Sequence, residues 1–95
     1  MRILIAEDET SSRFLLETTL RKRGYETVVA SDGLQAWDLL QRNDAPQIAI
    51  LDCTMPGLAG PEICRRIRER ENHPYTYLIL LTALNGKEDL ADSRW

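Results

Sequence analysis

Ile48-Ala49-Ile50-Leu51-Asp52 runs directly into Cys53-Thr54-Met55-Pro56-Gly57, and this stretch decides the fold. Four apolar residues, two of them β-branched, end in one carboxylate and then a Pro-Gly turn. The pattern predicts a strand buried on both faces with a short loop after it. In an open parallel α/β sheet, ligands bind just beyond the carboxyl ends of the strands. Asp52 stands at such an end. A lone buried carboxylate is costly to a core, so Asp52 is a candidate for chemistry.

Toward the N-terminus, Ser31-Asp32-Gly33 is a turn and cap signal. It opens a helix with Leu34, Trp37 and Leu39/Leu40 as its apolar stripe, stopped by Asn43-Asp44-Ala45-Pro46. Trp37 reads as core packing. Tyr25 to Ala30 has strand composition with enough polar character for a sheet edge. Before it lies a helix carrying Phe14, Leu15, Leu16 and Leu20, with Thr10, Ser11 and Ser12 offering N-cap oxygens. Arg21-Lys22-Arg23 suit its C-terminal dipole, and Gly24 suits a left-handed cap. Ile3-Leu4-Ile5-Ala6 predicts a central parallel strand, which ends in Glu7-Asp8-Glu9.

Toward the C-terminus, Gly57-Leu58-Ala59-Gly60 is a loop, and Pro61 fits the first position of a third helix. Ile63, Cys64 and Ile67 make the buried stripe of that helix. Glu71-Asn72-His73-Pro74 ends it, with His73 read as an exposed loop residue. Tyr77 to Leu81 predicts a fourth strand, apolar on both faces and ending in Thr82-Ala83. Asn85-Gly86 breaks the chain, and residues 87–95 suit a short last helix. The β-α-β-α-β-α-β order implies an α/β fold, a doubly wound parallel sheet in one domain spanning 1–95.

The chain of 95 residues carries a net charge of -3, with 43% apolar residues. Nothing in it approaches the length of a membrane span, and four apolar residues at the N-terminus are too few for a signal peptide. A cytoplasmic protein is expected, with Cys53 and Cys64 as reduced thiols. Arg65, Arg66, Arg68 and Arg70 interleave with Glu69 and Glu71, the pattern of a solvated helix face. No nucleic-acid partner is expected.

Three strand ends bring polar groups to one rim: Glu7/Asp8, Asp52 and Thr82. Carboxylates gathered there repel unless a cation joins them, and a hard divalent ion such as Mg²⁺ suits oxygen donors. Such a site supports phosphoryl transfer, with Asp52 as nucleophile and Thr82 donating to a phosphoryl oxygen. The plainer alternative is that Glu7 to Glu9 cap the first helix and Asp52 caps the third.

Motif by motif, the sequence resembles the receiver domains of two-component response regulators. Ile3-Leu4-Ile5-Ala6-Glu7-Asp8-Glu9 looks like that family's first strand and acidic pair. Ala30-Ser31-Asp32-Gly33-Leu34-Gln35-Ala36 is similar to its Asp-Gly helix entry. Asp52-Cys53-Thr54-Met55-Pro56-Gly57, with Gly60 beyond, carries its most specific signature, and Leu80-Leu81-Thr82-Ala83 resembles its hydroxyl strand end. The resemblance covers about residues 2 to 88.

It implies a flavodoxin-like fold in which Asp52 accepts phosphate from a sensor histidine kinase or phosphotransfer protein. Asp8 would bind Mg²⁺ directly, Glu7 through water, and Thr54 through its main-chain carbonyl, while Thr82 would hold the phosphoryl group. Glu7 replaces the family's more frequent aspartate. The sequence stops at Trp95, ahead of the family's fifth strand and helix and the lysine at that strand's end. Lys22 and Lys87 do not match that lysine. The resemblance thus implies a receiver lacking the last strand and helix, a signalling module and not an enzyme. The alternative is a phosphorylation-impaired module that only binds or dimerises. A haloacid dehalogenase-type phosphohydrolase would need an aspartate where Thr54 stands. Exposed as an edge, the apolar fourth strand would pair with a second copy, giving a homodimer in which Leu84, Leu90, Ala91 and Trp95 pack across the partner.

Overall fold

The computed structural model describes residues 1–70 and 75–81. Seven elements follow in chain order: β1 (Arg2–Ala6), α1 (Thr10–Lys22), β2 (Glu26–Ala30), α2 (Gly33–Leu40), β3 (Ile48–Asp52), α3 (Gly60–Arg68) and β4 (Tyr77–Leu81). The strands form one parallel sheet in the order β2-β1-β3-β4. This is the expected α/β architecture, with Tyr25–Ala30 shortened by one residue and placed at an edge.

Alternation along the strands sends successive side chains to opposite faces. On one face Leu4, Ala6, Ala49 and Leu51 pack with Ala36 and Leu40 of α2 and with Ile63 and Ile67 of α3. That is the main core, and Ile63 and Ile67 fill the stripe expected of them, with Cys64 half-buried. The other face carries Ile3 and Ile5, both buried, and α1 packs against β1 and β2.

Three local expectations are corrected. The α1 cap is the Glu9 carboxylate, which accepts from the Ser12 N–H at 2.7 Å, and not a hydroxyl of Thr10, Ser11 or Ser12. A carboxylate carries a full negative charge to the positive end of the helix, so it is favoured there. Phe14 and Leu15 are each 67% exposed, and Leu34 of α2 is exposed too. Apolar composition marks which residues suit a core, but helix orientation decides which reach it. Finally, β4 is apolar on both faces in sequence only: Leu78 and Leu80 pack against the core while Tyr77 and Ile79 are exposed.

The C-terminal signal of α1 is confirmed, since Gly24 has φ +92° and its N–H donates to the Arg21 carbonyl at 3.0 Å. The arginines after Cys64 are engaged as a mixed-charge face implies. Arg65 pairs with Glu62 and Glu69, and Arg66 with Glu62. Arg68 donates to the Thr76 carbonyl and Arg70 to that of Leu40. Arg66 and Arg70 also lie over the half-buried Trp37 ring. Thr82, Ala83, His73, Lys87 and the expected last helix lie outside the described residues. No helix among the described residues is long and apolar enough to cross a membrane.

Candidate functional site

The β1–β3 register builds the site. Ala6 pairs with Leu51, so the next step along two parallel strands sets Glu7 beside Asp52 at the carboxyl rim. Both residues share the strand parity of the α1 face. Asp8 follows as the chain turns into α1. One carboxylate oxygen each from Glu7, Asp8 and Asp52 lies within 4.8 Å of the other two. Glu7 is buried, Asp52 half-buried and Asp8 exposed, so the cluster opens outward.

Each half of the cluster is anchored differently. The Glu7 N–H donates to the Ala30 carbonyl at 3.1 Å. The Glu9 N–H donates to Glu7 Oε2 at 3.0 Å, and Arg13 Nη1 donates to the Glu7 main-chain oxygen at 2.8 Å. Across the rim, the Gly60 N–H reaches the Cys53 carbonyl at 3.3 Å and the Gly33 N–H reaches the Pro56 carbonyl at 3.0 Å. Asp32 caps α2 by accepting from the Gln35 N–H at 2.8 Å. The Gln35 side chain returns to the Ser31 N–H at 2.8 Å.

Two glycines are required by these approaches. A Cβ on Gly33 would lie 1.8 Å from the Leu58 carbonyl oxygen, and one on Gly60 would lie 2.4 Å from that of Asp52. Only a residue without a side chain lets α2 and α3 come this near the loop.

Burial pushes the Glu7 carboxyl above its ordinary 4.5, and the charges of Asp52 and Asp8 push it the same way. The Glu9 N–H opposes them. No arginine or lysine among the described residues forms an ion pair with Glu7, Asp8 or Asp52. Three carboxylates with oxygen-only donors and no cationic partner among the described residues fit a hard divalent ion. Cys53, next to Asp52, is held as a thiol by burial and then by the Asp52 charge.

The structure therefore brings together the three carboxylates singled out in the sequence. Thr54 sits exposed on the same loop, and Thr82 falls outside the described residues. The plainer alternative is met only in part: Glu9 does cap α1, whereas α3 begins after Ala59 with no side-chain cap. Sequence reading did not find Arg13, whose only signal is its position one turn into α1, or the steric demand on Gly33 and Gly60.

Fold and rim together define an α/β domain with an acidic cluster at the carboxyl ends of its central strands. The chain belongs to the response regulator receiver domains, whose family model matches residues 3–93. Receivers act in two-component systems with histidine kinases, as signalling modules rather than enzymes. The chain is 43% identical over 77 residues to the uncharacterized transcriptional regulatory protein YrkP of Bacillus subtilis, covering 81% of this chain and 32% of that protein. It thus spans about a third of that relative's length. The response regulator TrrA of Thermotoga maritima, solved with Mg²⁺-BeF, superposes with a TM-score of 0.77 at 34% identity, covering 97% of this chain and 76% of TrrA. The receiver domain of sensor histidine kinase PA1611 from Pseudomonas aeruginosa, solved with magnesium in its active-site cleft, gives a TM-score of 0.78 at 32% identity, over 95% and 73% of the two chains.

Proposed function

We propose that this receiver is a Mg²⁺-dependent phosphoacceptor, taking a phosphoryl group on Asp52 from the phosphohistidine of a sensor kinase or phosphotransfer protein. The observation that carries this reading is the register that sets Glu7 beside Asp52, with Asp8 in the same 4.8 Å cluster. Glu7, Asp8 and Asp52 would hold the ion, with the Thr54 main-chain carbonyl as a further donor. A Mg²⁺ ion held there would offset the negative charge of the phosphoryl group during transfer. An Asp52 carboxylate oxygen attacks phosphorus, the P–N bond breaks, and its electron pair returns to the imidazole nitrogen. Half-exposed Asp52 is open to the incoming donor, and the Thr82 hydroxyl donates to the transferred group. The setting is cytoplasmic.

Incubation with Mg²⁺ and acetyl phosphate, followed by intact mass, tests this. One added phosphate is expected, lost in Asp52→Asn and absent in EDTA. An unmodified wild-type chain overturns the reading in favour of a module that only binds partners. Assembly extends the proposal: β4 is an outer strand of the described sheet with Tyr77 and Ile79 exposed, a template for strand pairing. Two copies would join through β4 about a two-fold axis. Sedimentation at micromolar concentration should show a dimer that Ile79→Lys dissociates, and a wild-type monomer would refute it.

A further inference from the structure

Arg13 stands on the first turns of α1, yet its guanidinium turns back to the strand end. Nη1 donates to the main-chain oxygen of Glu7 at 2.8 Å in a half-buried setting. That oxygen belongs to the peptide joining Glu7 to Asp8, so the contact fixes the plane from which Asp8 departs. The residues on either side are fixed as well, Glu7 by the Ala30 carbonyl and Glu9 by Glu7 Oε2. Asp8 itself is exposed, and its carboxylate is placed by the backbone beneath it. The Arg13 guanidinium is aimed at a carbonyl, and among the described residues it forms no ion pair with Glu7, Asp8 or Asp52.

We infer that Arg13 is a positioning residue for the metal centre, holding the Glu7–Asp8 peptide so that the Asp8 carboxylate faces those of Glu7 and Asp52. This deepens the phosphoacceptor reading and rests on it. Groups that orient metal ligands from behind typically change affinity by about 10- to 100-fold when removed. A guanidinium acting only as a competing cation would have the opposite sign, because its loss would tighten Mg²⁺ binding.

Calorimetric titration with Mg²⁺ alone separates the two. Arg13→Met should weaken binding about tenfold, and Arg13→Lys, which keeps a charged donor, should recover most of the loss. Ile67→Val, a core change away from the acidic turn, lowers stability without moving affinity, so it controls for destabilisation. Amide NMR spectra in EDTA give a metal-free measure: Arg13→Met should shift the Asp8 and Glu9 amides beyond those of β3. Affinity equal to or tighter than wild type in Arg13→Met overturns the inference. If the wild type takes up no Mg²⁺, the phosphoacceptor reading falls, and an unmoved Asp8 amide then refutes the role of Arg13 separately.

Discussion

The two halves of the acidic rim are held by different physics. On the β3 side, the loop over 53–59 is fixed by backbone and shape: Gly33 and Gly60 donate into it, and neither position has room for a Cβ. Gly57 adds a left-handed residue, φ +87°, against Leu34. On the β1 side, Glu7-Asp8-Glu9 is fixed by side chains, through Glu9 on Ser12 and Arg13 on Glu7. A steric constraint is all or none, since close-packed atoms yield little. A polar constraint is graded, because hydrogen bonds weaken one at a time and respond to pH. The phosphoacceptor candidate thus sits on the rigid half and the exposed candidate metal ligand, Asp8, on the adjustable one.

The largest effects should come from crowding the rigid half. Gly33→Ala places a methyl group on the Leu58 backbone, which no rotamer change relieves. It should cost about 3 kcal/mol or more, read as a lowered urea midpoint in EDTA. Gly60→Ala presses on the Asp52 carbonyl and on the Leu80 side chain, and part of that neighbour can move. About 2 kcal/mol is expected. Asp32→Ala removes the α2 cap without touching the close approach, for about 1 kcal/mol. If the two glycine variants cost no more than Asp32→Ala, close packing does not dominate the β3 side of the rim.

This contrast explains what could be read in the sequence. The strands and their polar ends were legible because a continuous apolar run broken by a carboxylate fixes both a strand and its exit. Ile3-Leu4-Ile5-Ala6-Glu7 and Ile48-Ala49-Ile50-Leu51-Asp52 then predict the meeting of Glu7 and Asp52. The Gly33–Leu58 approach was not legible, since it joins segments distant in the chain through backbone atoms that carry no side-chain signature. Nor was the exposure of Phe14 and Leu15, because a leucine-rich helix reads the same whichever way it is turned. Composition could not separate β3 from β4 either. Both are apolar runs, and only sheet order decides that Ala49, Ile50 and Leu51 are buried while Tyr77 and Ile79 are exposed.

The smallest effects belong to the polar half, where two glutamates two positions apart should respond to pH with opposite signs. The Glu7 carboxyl is raised above 4.5, so between 4.5 and that raised value the folded chain binds more protons than the unfolded one. Stability must therefore fall as pH rises through this window. Glu7→Gln removes the ionised group and should stabilise the metal-free protein at neutral pH, with the gain fading toward pH 4.5. Glu9 is the reverse. Its carboxyl is held below 4.5, first by the Ser12 hydroxyl and then by the Ser12 N–H, and its contribution is present above 4.5 and lost as pH falls through the lowered value. Glu9→Gln keeps an oxygen acceptor but loses the charge at the α1 N-terminus, so it should be slightly less stable at neutral pH and should converge with wild type in acid. Urea midpoints for both variants across pH 3 to 8 in EDTA, approximate bounds chosen to span ordinary carboxyl titration, decide the matter. Parallel pH curves for the two would mean that the acidic turn titrates as one unit, and that capping and metal binding are not separate tasks of neighbouring residues.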